Sequence, residues 1–481
     1  MLSVCVVAGL WSLATLVFVL ARSAIHGLHF AGPYAAYFAG DQLRYLAWIR
    51  EAGLHGLIAD PFRAGAPHVY LQPLFLISGL LWRAGLSIQL AYLLWTPVAL
   101  GALIWGYASF TRRFLNGPGR AAALALALLF FSPLVPLFDY GRVVNANGAY
   151  QLAIAAGHGA TYWQAWGFLP TVIALGLMPV FVLGILDRDL AGAALVRTAL
   201  AGLLVAWLHP WGGLELVLIT LGLLVIRRPP AGGRLALVGA APGLPLIYYA
   251  ALAIADPAWS LSHLRAGTSG PAWPLLVGYL PLLLVALPAL RRAVREHERV
   301  LLLWLAAVVV TYLALWGSRD AALEGVSLPL SVLAVKGFRQ LRLASGWGWL
   351  AVALAIVPGA FYSAHTFRDL FYSRDYPFAL SDGEQRAVDS LQSEKGRVLA
   401  TPYLAGALPA LAGLLDGQVQ SGGRLLSDNH LGPTAAGRLV RREGIAVVVG
   451  DCLPSTPDLS SLLEPLGFAT HRYGCARVYR R

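Results

Sequence analysis

"YFAGDQLRYLAWIREAG", residues 37–53, follows directly on the first apolar segment of a chain that is otherwise mostly apolar. It holds Asp41, Arg44, Arg50 and Glu51 together with Tyr45 and Trp48. A stretch this charged cannot cross a bilayer as a helix, yet more membrane-like sequence comes after it. It is therefore either a solvated connector or the working surface of a membrane protein.

Composition sets the setting. The chain has 481 residues, 58% hydrophobic and only 12% charged, with a mean hydropathy of +0.65. Soluble domains carry roughly 25% charged residues, so this is the composition of an integral membrane protein. The first apolar run, near 3–22, lacks a basic leader and a small-residue cleavage site, and reads as a retained span. A formal charge of +12 would suit nucleic acid if it were concentrated. Here the basic residues fall in short clusters between apolar runs, which is the pattern that orients membrane proteins, and no nucleic-acid partner is expected.

The clusters are "TRRFLNGPGR" (111–120), "DRDLAGAALVR" (187–197), "RRPPAGGR" (227–234), "RRAVREHER" (291–299) and "KGFRQLR" (336–342). If all face the cytoplasm, eleven spans result: 3–22, 88–111, 120–137, 170–187, 196–209, 212–226, 235–255, 274–290, 300–317, 322–338 and 346–364. The segment "VYLQPLFLISGLLWRAGL" (69–86) would invert every later cluster if it spanned, so a juxtamembrane or re-entrant helix is expected there. The expected fold is a polytopic α-helical membrane protein of about 11 transmembrane helices (1–364), with a first outer loop at 23–87. The inner membrane is the expected location, with the N-terminus cytoplasmic. Other outer loops would be 138–169 and 256–273. From about 375 the pattern changes: "GRVLATPYL", "GIAVVVGD" and "ARVYRR" read as strands between helical segments, a small extracytoplasmic α/β domain at 375–481.

The chain has three cysteines, too few for a Cys-rich metal site. Cys452 and Cys475 flank β-like runs in an oxidising location and are expected to pair, the alternative being two buried thiols. No His/Asp/Glu spacing supports a metal, no cofactor is implied, and a divalent cation stays unsupported.

Asp41 begins a helix on which Arg44, Tyr45 and Trp48 share its face. A plain N-cap paired with Arg44 accounts for Asp41 alone. A carboxylate beside rings at the membrane surface could instead take a proton from an attacking hydroxyl. "DQLRYLAWIREAG" resembles the Asp-x-x-Arg-Tyr segment in the first outer loop of the GT-C glycosyltransferases, particularly the bacterial aminoarabinose transferases, with protein O-mannosyltransferases as further relatives. Two departures are visible: position 42 is Gln where many relatives carry a second acid, and "APHVYLQP" (66–73) stands where a His-Pro-Pro element is found.

The resemblance implies transfer of a sugar from a polyprenyl-phosphate donor to an extracytoplasmic glycan, lipid or protein acceptor. It also implies catalytic carboxylates, with Asp41 first and Asp139 as the acid of the second outer loop. Candidates for binding the lipid phosphate and substrate are Arg44, Tyr45, Trp48, Arg142, His158, His263, Arg265 and Arg319. Each has a plainer reading: Asp139 with Arg142 as an i,i+3 pair, His158 as structural, Arg319 paired with Asp320. "WLHPWGG" (207–213) reads as a tight hairpin tip. The rival to catalysis is a non-enzymatic polytopic protein on the same scaffold that binds or transports lipid-linked glycans.

Overall fold

A computed structural model describes residues 1–35, 38–187, 190–227, 232–256, 259, 273–295, 298–314, 319–341, 345–373, 377–415, 417–421 and 433–481. The described chain forms two compact units. The first comprises residues 1–13 and 95–366, and the second residues 14–94 and 367–481.

Helices dominate the apolar part. They are α1 (Leu2–Ile25), α2 (Ala39–His55), α3 (Pro73–Arg83), α4 (Ile88–Leu93), α5 (Trp95–Phe114), α6 (Pro118–Leu129), α7 (Leu134–Tyr140), α8 (Ala146–Gly159), α9 (Thr161–Ala165), α10 (Leu169–Leu186), α11 (Gly192–Leu208), α12 (Pro210–Arg227), α13 (Gly232–Ala240), α14 (Gly243–Ala255), α15 (Trp273–Arg295), α16 (Arg299–Ala314), α17 (Ser327–Gln340) and α18 (Ser345–Ser373). Among the described residues, five stretches are long and apolar enough to cross a membrane: Leu2–Ile25, Ile88–Phe114, Leu169–Leu186, Gly233–Ala255 and Gly346–Tyr372. The pair α6 and α7, bent by 44°, makes a sixth if it is one broken span. The chain is thus an integral membrane protein. Helices occupy all eleven expected span positions, but on length and hydropathy fewer than eleven qualify. Several, such as α11 and α16, are shorter apolar helices.

One segment, 69–86, is helical without spanning, as expected, and one, 138–169, differs from its expected form. Helix α3 has 11 residues, about 16 Å at 1.5 Å per residue against the ~30 Å hydrocarbon core, too short to cross. Residues 138–169, expected as a loop, are largely helical because "ANGAYQLAIAAGHG" is rich in alanine and Asn145 caps it by accepting from Gly148 N at 2.8 Å.

In the first unit α10 is buried on most of its surface and packs on α5. Contact there is close because both helices carry glycine: a Cβ on Gly106 would sit 2.0 Å from the Gly176 carbonyl oxygen. Rings of Trp11, Tyr162, Trp163 and Trp166 lie 5.1–6.4 Å apart, and Trp166 Nε1 donates to the Trp11 carbonyl at 2.9 Å. Such amphipathic rings need a partner for their polar atom when buried, and this one has it.

The second unit joins the first polar loop to the C-terminal region. Strand β1 (His29–Phe30) pairs antiparallel with β2 (Ala379–Leu380). The half-buried Arg50 on α2 donates to the carbonyls of Ala410 and Leu411 at 2.9 and 3.2 Å and stacks 4.8 Å over Trp82. Burial lowers the pKa of this guanidinium from its ordinary value. The main sheet is built from β3 (Arg397–Ala400), β4 (Val419–Ser421), β5 (Ile445–Gly450), β6 (Ala469–Tyr473) and β7 (Ala476–Arg480), in the order β4-β3-β5-β7-β6. β4, β3 and β5 run parallel and the β6–β7 hairpin is antiparallel. Strands β3 and β5 are apolar on both faces, as "VLA" and "IAVVVG" show, because helical segments cover the sheet.

Cys452, just after β5, is disulfide-bonded to Cys475 at the β6–β7 turn, with Cα atoms 5.0 Å apart. The bridge closes a sequence separation of 23. Chain-entropy reasoning assigns such a loop about 3 kcal/mol. The Cys452→Ser/Cys475→Ser variant is expected to lose about that much stability in its C-terminal domain. Thermal unfolding with and without reductant reads it. An unchanged midpoint would show that the bridge contributes nothing.

Candidate active site

The opening stretch forms α2. The helix starts at Ala39 with Phe38 as N-cap and no side-chain cap bond, so Asp41 is the third helical residue and the N-cap reading is incorrect. The first turn is fixed differently. Gln42, 1% exposed, accepts from the backbone N–H groups of Tyr34 and Ala35 at 2.7 and 2.6 Å. A neutral amide suits this buried acceptor role, whereas a carboxylate would bury charge. That gives the departure at position 42 a local reason.

Asp41 is half-exposed, and Arg44 Nη1 lies 4.0 Å from its Oδ1. At that distance and exposure the pair holds neither partner tightly. Arg44 also sits 5.9 Å over Phe62. Tyr45 and Trp48 form a ring cluster with Phe75 of α3, at centroid distances of 5.1 and 5.7 Å, extended by Tyr92 and Tyr70. Their rings therefore fasten α2 to α3 and α4, and what remains of each is its partly exposed edge. "APHVYLQP" contributes Gln72, which caps α3 by accepting from Phe75 N at 3.0 Å.

In the first unit the structure assembles a buried cluster from three places in the chain. His158 ends α8, His209 stands between α11 and α12, and Glu324 follows a 3-10 turn, Arg319–Leu323. Glu324, 8% exposed at the side chain, lies 3.3 Å from His158 Nδ1 and 2.6 Å from His209 Nε2. His209 Nδ1 accepts from Gly212 N at 3.0 Å. His158 is the least buried member, with 20% of its side chain exposed. Gly159 beside it has a packing reason, since a Cβ there would lie 1.1 Å from Tyr279 Oη. Glu215, fully buried on α12, is a further acid in this unit.

The cluster is what sequence reasoning missed. His209 is a turn residue and also a buried ring 2.6 Å from a carboxylate, and Glu324 was not singled out. The available signal was an ionisable residue inside an apolar run, as in "GGLELVLITL" and "ALEGVSLPL". Asp139 and Arg142 do not form the expected i,i+3 pair: Tyr362 Oη donates to Asp139 Oδ2 at 2.8 Å. Arg142 is exposed with φ +53°, a left-handed conformation uncommon for a residue with a Cβ. His263 and Arg265 lie outside the described residues, as does the Arg319 side chain.

What the two regions can do chemically differs. A carboxylate reachable by solvent, like Asp41, can accept a proton. A Glu-oriented imidazole like His158 can present a donor to an anion, its other ring nitrogen being held by Glu324. Outside these regions, Glu51, His55 and His68 are the one group among the described residues whose ligand atoms gather within reach of a metal ion. The Glu51–His55 spacing of i,i+4 was legible and passed over.

No protein-family model matches the chain, and no curated protein does. Solved structures do. The oligosaccharyltransferase of Archaeoglobus fulgidus, in complex with Zn and sulfate, is 13% identical with a TM-score of 0.54, over 93% of this chain and 68% of that one. The same organism's AglB, in complex with an inhibitory peptide and a dolichol-phosphate, gives 13% and 0.52 over 94% and 69%. ArnT from Cupriavidus metallidurans bound to undecaprenyl phosphate gives 13% and 0.53, over 99% of this chain and 96% of that one. At these identities the likeness is one of fold, and over nearly its whole length the chain has the fold of the GT-C membrane glycosyltransferases.

Proposed function

We propose that the protein is a membrane glycosyltransferase that moves a sugar from a polyprenyl-phosphate donor to an extracytoplasmic acceptor. One observation carries the reading: the likeness in fold, over 99% of this chain, to ArnT, whose solved structure holds undecaprenyl phosphate. In the reaction, an acceptor hydroxyl attacks the anomeric carbon. The bond from that carbon to the phosphate oxygen breaks, and the lipid phosphate leaves with the electron pair. Asp41 takes the hydroxyl proton. Arg44, on the same helix as Asp41, receives the charge on the departing phosphate. Within the first unit, His158 oriented by Glu324 is a separate donor suited to an anion such as a lipid phosphate. Tyr45 and Trp48 form an amphipathic surface suited to headgroup depth. Asp139, held by Tyr362, is kept as a second, subsidiary carboxylate.

The binding half of this proposal is testable without knowing the sugar. Native mass spectrometry of the purified protein in detergent, with added undecaprenyl phosphate, should show one retained lipid that dioleoyl phosphatidylglycerol at equal concentration does not displace. Equal retention of both lipids would overturn a dedicated polyprenyl-phosphate site.

A further inference from the structure

Glu51 and His55 stand one helical turn apart at the C-terminal end of α2, so their side chains share a face. Gly56 ends the helix at φ +79° and the chain leaves into a loop. That loop is clasped by an isolated antiparallel bridge between Ile58 and Tyr70, with Tyr70 N donating to the Ile58 carbonyl at 3.1 Å and Ile58 N to the Tyr70 carbonyl at 2.8 Å. The clasp brings His68 back over the helix end. Glu51 Oε2 then lies 3.0 Å from His68 Nε2 and 3.9 Å from His55 Nε2. The two imidazole rings are 4.0 Å apart.

We infer that Glu51, His55 and His68 form a binding site for a zinc-class divalent cation. Ligands at the usual Zn–N and Zn–O distances, ~2.0–2.2 Å, stand about 3.3 Å from one another on a tetrahedron. The observed separations bracket that spacing, so the cation enters with rotamer adjustments rather than backbone movement. The donor set selects the metal. Two imidazoles and one carboxylate suit zinc and its transition-metal neighbours, whereas calcium and magnesium take oxygen ligands.

Burial supplies the second reason. Only 3% of the Glu51 side chain is exposed, whereas His55 and His68 keep 46% and 40%. A carboxylate inside with two imidazoles outside makes a cup that opens to solvent, leaving one coordination position for water. The bound ion would pin the loop between Ile58 and Tyr70 to the end of α2. The site is separate from Asp41, which lies ten residues earlier on the same helix, about 15 Å along its axis. The inference rests on this local geometry and not on the transferase reading.

The test uses the full-length protein in detergent, stripped with a chelator and titrated with ZnCl2 against a chromophoric zinc indicator. Wild type should bind one equivalent that the His55→Ala/His68→Ala variant lacks, while Asp41→Asn keeps it. Glu51→Gln, which retains the shape of the buried side chain, should weaken it at least ~10-fold. Zinc-edge absorption of the bound ion should show imidazole scattering from two rings. Removing His68 takes a 3.0 Å partner from the buried Glu51 carboxylate, so the titrations are run well below the zinc-free melting temperature of each variant, which keeps the comparison valid. Undiminished binding in His55→Ala/His68→Ala, or no binding by wild type at micromolar zinc, overturns the site.

Discussion

Asp41→Asn should insert and fold normally yet transfer sugar ~100- to 10,000-fold more slowly, the usual cost of losing a general base. The substitution is nearly isosteric and its site tolerates it. Asp41 is not the N-cap of α2, and its side chain is about half-exposed, so an amide of the same shape fits there. What folding loses is a negative charge in the first helical turn, about 0.3–1 kcal/mol. A large loss of turnover with an unchanged melting temperature therefore separates chemistry from structure. Transfer at the wild-type rate in purified membranes would move the base elsewhere, with Asp139 the next carboxylate to replace.

The second large effect is expected at Glu324. Glu324→Gln keeps the side-chain volume but removes the charge that orients His158 and lies 2.6 Å from His209 Nε2. A hydrogen bond to a charged partner contributes roughly 1.5–3 kcal/mol. If that orientation serves the lipid phosphate, binding of undecaprenyl phosphate should fall about 10- to 100-fold. His158→Ala should cost a similar amount, and the double variant little more, because both remove one interaction. Additive losses, or binding as tight as wild type in Glu324→Gln, would leave the cluster a purely structural one. His209→Ala is the matching structural control, its main effect being on stability.

Much of the fold was legible because a membrane helix declares itself over twenty apolar residues, and β5 does so through an unbroken "IAVVVG" run. Residues 138–169 were misread for a local reason: glycines at 148, 157 and 159 suggest a loop, while alanine content and the Asn145 cap decide for helix. The site was harder. Asp41, Arg44, Tyr45 and Trp48 are adjacent on one helix, and helical spacing alone predicts their shared face. The cluster of His158, His209 and Glu324 joins positions more than a hundred residues apart, and no periodicity connects them. Gln42 was noticed only as a departure, because its inward hydrogen bonds to Tyr34 and Ala35 exist only once the chain has turned back on itself.

The most direct test of a polyprenyl-phosphate sugar as the donor lets the cell name the sugar. In cells lacking the protein, the donor it consumes should accumulate, readable by mass spectrometry of extracted polyprenyl-phosphate lipids. One lipid-linked monosaccharide is predicted to rise on deletion. It should fall to its original level with the wild-type chain and stay high with Asp41→Asn. A polyprenyl-phosphate profile identical in all three strains would contradict the transferase account.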